Sequence, residues 1–434
     1  MQRKEETAGA EDIVIVGAGI AGLATALGLH RKGVRSLVLE SSPALRASGF
    51  AFTTWKNAFR VLDALGVGDK IRKQHLQAQA LHVISSSTGE TVQELDLTVQ
   101  RKRGPHEIRC VRRDLLLEAL AEELPTDTIR YSSRIVSIEE DGSVKLLQLA
   151  DGSVLRAKVE GVTALRTPLY LSQEAARDAD QVDVQCSALQ VLIGCDGINS
   201  VVAKWLSLAK PSYSGRSAVR GLAHYPDGHG FQPNFLQFVG QYGFRFGMDI
   251  YWFFTWSPSD NDKAGGADES AATMKQFVLS KFRGSNMPAE ALAVIEKSDI
   301  LASPLRFRSP LSLIAANISK STVCVAGDAL HPMTPDLGQG GCSALEDGVT
   351  LARCLGEAIL GGGGAENQKR IEAGLREYAG IRRWRSVELI ATAYVLGFVQ
   401  QSRNAVLSFL RDRFLSGLLA RRLLKMADYD CGTL

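Results

Sequence analysis

Apolar residues fall in three rhythms along this chain, and each predicts a different kind of element. Short runs of consecutive aliphatic and β-branched residues occur at 12–16 (Asp-Ile-Val-Ile-Val), 36–39 (Ser-Leu-Val-Leu) and 321–326 (Ser-Thr-Val-Cys-Val-Ala). Such runs have no polar face, so they predict parallel strands covered on both sides. Between the first two, Ile20, Leu23, Ala24, Ala26, Leu27 and Leu29 predict a helix ending at His30-Arg31-Lys32, with Gly33 as its stop. Alternation replaces these runs at 135–139 and 144–149, which read as a meander closed by Asp141-Gly and Asp151-Gly turns and leading into 155–159. It returns in Gln237-Phe-Val-Gly-Gln-Tyr-Gly-Phe-Arg-Phe-Gly, inside an aromatic-rich region that includes Phe235, Tyr251, Trp252, Phe253, Phe254 and Trp256. Antiparallel strands are expected there, joined by short strands around 80–97. The last rhythm, at 382–425, is helical, with basic residues set among Leu, Phe and Val as in Phe409-Leu-Arg-Asp-Arg-Phe-Leu415.

Composition narrows the function classes. A chain of 434 residues buries a large core and suggests two or three folding units. Its 50 basic and 47 acidic residues leave a formal charge of +3, too little to indicate a nucleic-acid partner. The seven cysteines are scattered without a CxxC pair, so neither a disulfide framework nor a metal site is indicated. No stretch approaches the roughly 18 apolar residues that span a bilayer. The polar first ten residues, with Glu5 and Glu6, favour a cytoplasmic location, with an organelle open if a presequence is missing. The C-terminal helices are expected to pack on the body, peripheral membrane contact being the alternative. Oligomeric state is not readable.

The first strand runs into Gly17-Ala-Gly19-Ile20-Ala21-Gly22, and the second ends on Glu40, 23 positions after Gly17. Gly17 permits the tight turn, Gly19 lets main chain approach a pyrophosphate, and Gly22 lets helix and strand pack closely. The positive helix end faces the phosphates, and Glu40 is placed to accept hydrogen bonds from a ribose. Strand, loop, helix, strand and acid in one window make a Rossmann-type dinucleotide site, without separating FAD from NAD.

Two later signals follow strand-like segments. One is Ile193-Gly-Cys-Asp196-Gly197-Ile-Asn-Ser200; the other is Gly327-Asp328-Ala-Leu-His331-Pro, continuing through Pro335, Gly338, Gln339, Gly340, Gly341 and Cys342 into a helix. In this order the three signals resemble the FAD-dependent aromatic monooxygenases, the family of para-hydroxybenzoate hydroxylase, zeaxanthin epoxidase and kynurenine monooxygenase, over most of the chain. Val201-Val-Ala-Lys-Trp205 and Ala427-Asp-Tyr-Asp-Cys431 carry a likeness to the plant monooxygenases of this family. One departure stands out: where the family's Asp-Gly motif commonly continues Ser-x-x-Arg, this chain has Ala203 followed by Lys204.

The resemblance implies FAD as cofactor and NADPH or NADH as a transient reductant, docking without a second GxGxxG. It places Asp328 on the ribityl and pyrophosphate part, the N–H groups of Gly340, Gly341 and Cys342 at the flavin N1 and C2 carbonyl edge, and Pro335 at the flavin front face. It also carries an Arg-x-x-Leu arginine onto Arg112, with Arg113 as the near neighbour. The implied reaction uses O2 through a flavin C4a-hydroperoxide to hydroxylate or epoxidise a small aromatic or olefinic substrate. A flavin dehydrogenase or reductase, and a flavoprotein without turnover, share the fold and stay open. No catalytic side chain is assigned; His224, Tyr242 and Arg245 are the candidates.

The expected architecture is α/β plus antiparallel β. A discontinuous Rossmann-like FAD-binding domain takes 1–75, 107–208 and 306–380, a β-sheet substrate domain takes 76–106 and 209–305, and C-terminal helices take 381–434. Residues 160–191 lack a clear period and read as an insertion or a substrate lid.

Overall fold

The computed structural model describes residues 13–46, 49–85, 89–99, 106–141, 144–158, 186–187, 191–225, 228, 230–239, 243–246, 250–258, 270–282, 289–362, 366–400 and 422–434. The apolar runs become adjacent strands of one six-stranded sheet, ordered Ser319–Lys320, Val323–Val325, Val191–Gly194, Ile13–Val16, Leu37–Leu39 and Ile129–Arg130. Ile13–Val16 sits between Val191–Gly194 and Leu37–Leu39, parallel to both, and Val323–Val325 is parallel to Val191–Gly194. Only Ser319–Lys320 runs against its neighbour. Segments far apart in sequence therefore end at the same sheet edge, which is where open parallel sheets place their ligands.

Helices Ile20–Arg31 and Gly340–Leu360 cross on this sheet at close range. A Cβ on Gly348 would lie 2.6 Å from the Ala24 Cβ, and one on Gly28 would lie 2.7 Å from the Ala352 Cβ. These hydrogen-only faces let the two helices touch along their backbones, so their N-termini arrive side by side.

The alternating segments form the remaining sheets. The meander gives Ile135–Asp141, Val144–Leu149 and Val154–Lys158, extended by Cys186–Ser187. A two-stranded ribbon pairs Ala51–Trp55 with Ile108–Arg112. The aromatic region builds a seven-stranded sheet ordered Asp299–Phe307, Ser212–Leu222, Tyr251–Trp256, Gly243–Phe246, Asn234–Val239, Ala80–Ser85 and Thr91–Asp96, with the 80–97 strands joined to it as expected. Period-two alternation then sorts its aromatics. Trp252, Phe254 and Trp256 pack with Phe277 and Phe282 of helix Ala271–Phe282 in a separate core, whereas Tyr251 and Phe253 face the other way.

A single helix, Asn367–Gln400, runs through the boundary expected at 380/381. Its residues Leu375, Tyr378, Leu389 and Ile390 belong to the same core as the six-stranded sheet, so this helix is part of the cofactor-side body. The Phe409–Leu415 run and nearly all of 160–191 lie outside the described residues. Among the described residues no helix is long and apolar enough to cross a membrane.

Candidate active site

Two helix N-termini open into one cavity of about 720 Å³. The first belongs to Ile20–Arg31. Gly17 takes φ +100° and donates its N–H to the Leu39 carbonyl at 2.8 Å, turning the chain sharply off the first strand. A Cβ on Gly22 would stand 1.9 Å from the Gly17 oxygen, so Gly22 serves close packing and lies behind the cavity wall. Gly19 is the opposite case: nothing lies within 4 Å of its missing Cβ, because that side faces the cavity, with Ile20 and Ala21 beside it. No side chain caps this helix and no acid occupies its first turn, which directs its N–H groups and positive dipole end at the cavity.

The second N-terminus belongs to Gly340–Leu360, also without a side-chain cap or a first-turn acid. Gly340 and Gly341 line the cavity. Cys342, carried over as a third donor there, lies outside the lining. Its thiol is buried against the carbonyls of Thr53 and Gly338, each at 3.7 Å, and burial pushes its pKa up to about 12.

Three acids line the space between these ends. The Glu40 carboxylate accepts the N–H groups of Ala18 and Ser42, both at 2.8 Å. Asp196 Oδ2 accepts the Val201 N–H at 2.7 Å, at the start of helix Val201–Trp205, whose N-cap is Ser200. The Asp196 Oδ1 is buried without a partner among the described residues, and burial raises the pKa of Asp196. Asp328 lies in the exposed part of the wall.

The two arginines named from the resemblance, Arg112 and Arg113, are placed differently. Arg112 ends strand Ile108–Arg112 and turns to pair with Asp114, away from the cavity lining. Arg113 opens the next helix, Arg113–Ala121, and lines the cavity. Successive residues leaving a strand point to opposite sides, so one step along the chain crosses the backbone. The Arg113 Nε is buried without a partner among the described residues; burial lowers its pKa, with the Asp328 charge opposing that shift.

Pro335, which opens the short turn Pro335–Leu337, and Gly338, which follows it, also line the cavity, and Gly338 takes φ +61°. Phe235, Tyr251, Phe253 and Arg220 of the seven-stranded sheet line it as well, the Arg220 guanidinium lying 5.7 Å from the Phe253 ring centroid. Sequence reasoning missed Arg220, since one arginine among alternating residues announces no face. His224 is no part of this wall; it is exposed, 3.7 Å from Asp299. Tyr242 and the Arg245 side chain lie outside the described residues.

With that geometry in view, the model of the FAD binding domain matches residues 10–158 and 172–379. The chain belongs to this FAD-binding family of hydroxylase-type monooxygenases. It is 47% identical to Monooxygenase 2 of Arabidopsis thaliana over 446 residues, covering 99% of each chain. It is 34% identical to Monooxygenase 1 of the same plant over 434 residues, covering 97% of this chain and 99% of the other. Among solved structures, Klebsiella pneumoniae HpxO complexed with FAD and uric acid has a TM-score of 0.73 at 22% identity, covering 96% of this chain and 95% of that one. This last likeness is one of fold.

The cavity residues fit the cofactor that defines the family. Two helix ends offer N–H donors to anionic groups, Gly19 leaves room for close approach, and the buried Asp196 Oδ1 and Arg113 Nε are polar atoms that a dinucleotide's hydroxyl and phosphate groups would satisfy. The internal gap in the family match, 159–171, lies within the stretch expected as an insertion apart from its first residue.

Behind the wall of this cavity runs a buried charge cluster that sequence reasoning did not foresee. Asp347 accepts the Gly327 N–H at 2.7 Å and contacts His331 Nε2 at 2.6 Å. Arg382, from the long C-terminal helix, donates to Asp347 at 2.5 Å and to Glu346 at 2.7 Å. Arg385 and Asn57 also donate to Glu346, at 2.9 Å and 2.6 Å. The cluster thereby fixes the Gly-Asp turn, the second helix N-terminus and the C-terminal helix to one another. The only advance signal was the acid pair Glu346-Asp347 in an otherwise apolar run.

Proposed function

We propose that this chain is an FAD-dependent monooxygenase that uses NADPH or NADH and O2 to hydroxylate or epoxidise a small aromatic or olefinic molecule. One observation carries the reading: the phosphate-type loop, the Gly-Asp turn and an aromatic sheet wall all open on the same cavity. An elongated cofactor held at the first end would present its redox end to the wall.

In this reading the main chain at Gly17, Gly19, Ile20 and Ala21 holds the pyrophosphate, Gly22 keeps the helix close, and Glu40 takes the adenosine ribose. Asp328, Asp196 and Arg113 address the ribityl and phosphate part. Pro335 and Gly338 shape the front face, and the Gly340 and Gly341 amides lie at the pyrimidine edge. When bound, FAD supplies electron transfer from the nicotinamide and activation of O2. The uncapped helix end at Gly340 stabilises negative charge at that edge through fixed dipoles that need no reorganisation. Tyr251, Phe253 and Phe235 orient a flat apolar substrate and exclude water. The uric acid named with the Klebsiella relative is a planar ring of the kind such a wall suits. Without a second GxGxxG, the nicotinamide docks transiently between the two halves.

The test is oxygen incorporation. Purified holoprotein is given NADPH or NADH, isotopically heavy O2, and a panel of phenols, indoles and terpenoids. A product carrying one heavy oxygen atom supports the reading; full flavin occupancy with no substrate-stimulated nicotinamide oxidation and no labelled product contradicts it.

A further inference from the structure

Strand Ser212–Leu222 pairs regularly with Asp299–Phe307 except at one place. Tyr213 pairs with Arg306 and Ser217 with Pro304, so Ser214, Gly215 and Arg216 stand opposite Leu305 alone. Gly215 takes φ +75° within this bulge. Bulges re-aim side chains, and the residue redirected here is Arg216.

Its guanidinium makes two hydrogen bonds to Asp336, at 2.9 Å and 2.6 Å, with both side chains almost fully buried. Asp336 is the middle residue of the turn Pro335–Leu337, whose flanks Pro335 and Gly338 line the cavity. A third element leaves space for the pair: a Cβ on Gly397 of the long helix would lie 2.3 Å from Arg216 Nη2. Four residues on, the same strand places Arg220 in the cavity wall. A dry ion pair is a poor source of net stability, because desolvation offsets its attraction. What a two-pronged pair fixes well is position.

We propose that Arg216, seated in the Gly397 notch and clamped to Asp336, is a positioning residue that keys the front turn to the substrate wall. The proposal rests on the FAD reading of the cavity. The turn's distance from the flavin, and so the environment of the ring, is set from the substrate sheet.

The test uses FAD-loaded wild type, Arg216→Met, Arg216→Lys, Asp336→Asn and Gly397→Ala, read by visible circular dichroism of the flavin, FAD release rate and thermal melting. Arg216→Met and Asp336→Asn are expected to alter the flavin dichroism and speed FAD release about tenfold. Arg216→Lys keeps the charge but not the planar fork, and recovers only part of the wild-type signal. Gly397→Ala reproduces part of the change and adds nothing in an Arg216→Met background, as coupled residues require. Wild-type dichroism and release in Arg216→Met and Asp336→Asn, even with a lowered melting temperature, overturn the proposal, as does full additivity with Gly397→Ala. Should Arg216→Met fail to fold, Arg216→Lys and Gly397→Ala decide by the same two flavin readouts. A wild type that binds no FAD contradicts the underlying FAD reading, a separate outcome.

Discussion

The two ends of the cavity are built on different principles. At the cofactor end the contacting surface is main chain: Gly17, Gly19, Gly340 and Gly341 bring two uncapped helix N-termini to the wall. At the substrate end it is side chain: Phe235, Tyr251, Phe253 and Arg220 project from a sheet. A main-chain site constrains its glycines in different ways: an added carbon meets backbone at Gly17, the Phe52 ring at Gly341, and open cavity at Gly19. A side-chain wall can be rebuilt residue by residue while the sheet stays intact. Binding of the cofactor and choice of substrate should therefore be separable by mutation.

The strongest test of that separation lies behind the cofactor end. Arg382→Met leaves Glu346 and Asp347 buried with their charge undercompensated, and should cost about 3–5 kcal/mol by denaturant unfolding. An unchanged midpoint would mean that the cluster does not hold the two helices together.

Next come the glycines. Gly22→Ala should destabilise the fold by about 3 kcal/mol, since its Cβ would stand 1.9 Å from a backbone oxygen. Gly19→Ala, with open space around it, should leave apoprotein melting unchanged and still weaken FAD binding. If both variants lose stability equally, the two glycines do not have the different jobs assigned to them.

A graded effect is expected from pH. Burial alone would raise Glu346 and Asp347, but Arg382 and Arg385 beside Glu346, and His331 and Arg382 beside Asp347, hold both below their ordinary values of 4.5 and 3.8. Below those values the unfolded chain binds more protons than the native one. The stabilisation is thus complete above the ordinary carboxylate range and is lost as pH falls through it toward the folded values. Glu346→Gln should flatten this acid limb of the stability curve, and an unaltered limb would assign it to other carboxylates. The smallest change in cofactor binding is expected at the other end: Phe253→Leu should lower kcat/KM for a preferred ring substrate about tenfold while leaving FAD affinity at the wild-type value.

The same contrast explains what the sequence discloses. Main-chain sites demand glycine at fixed spacings, so spacing alone points to Gly17, Gly19 and Gly22, while the family resemblance points to Gly340 and Gly341. Side chains are placed only once their face is known, and Arg112 and Arg113 show the consequence: one step along the chain exchanges an Asp114 partner for the cavity wall. The aromatic-rich stretch at 251–256 is expected to give sheet, but which aromatics form core and which form wall depends on the helices covering one side, and those come from 271–297. Arg382 and Arg385 read as solvated charges on a helix until that helix is seen packed on Glu346 and Asp347. The bulge that turns Arg216 inward has no sequence mark beyond Gly215.

The central claim is that distant segments of this chain converge to hold one FAD, and flavin content tests it most directly. Purified protein, assayed for bound flavin after denaturation and titrated with FAD where loading is incomplete, should reach one FAD per chain, with Gly19→Ala binding less tightly. A colourless protein that releases no FAD and takes up none when it is supplied would contradict the account.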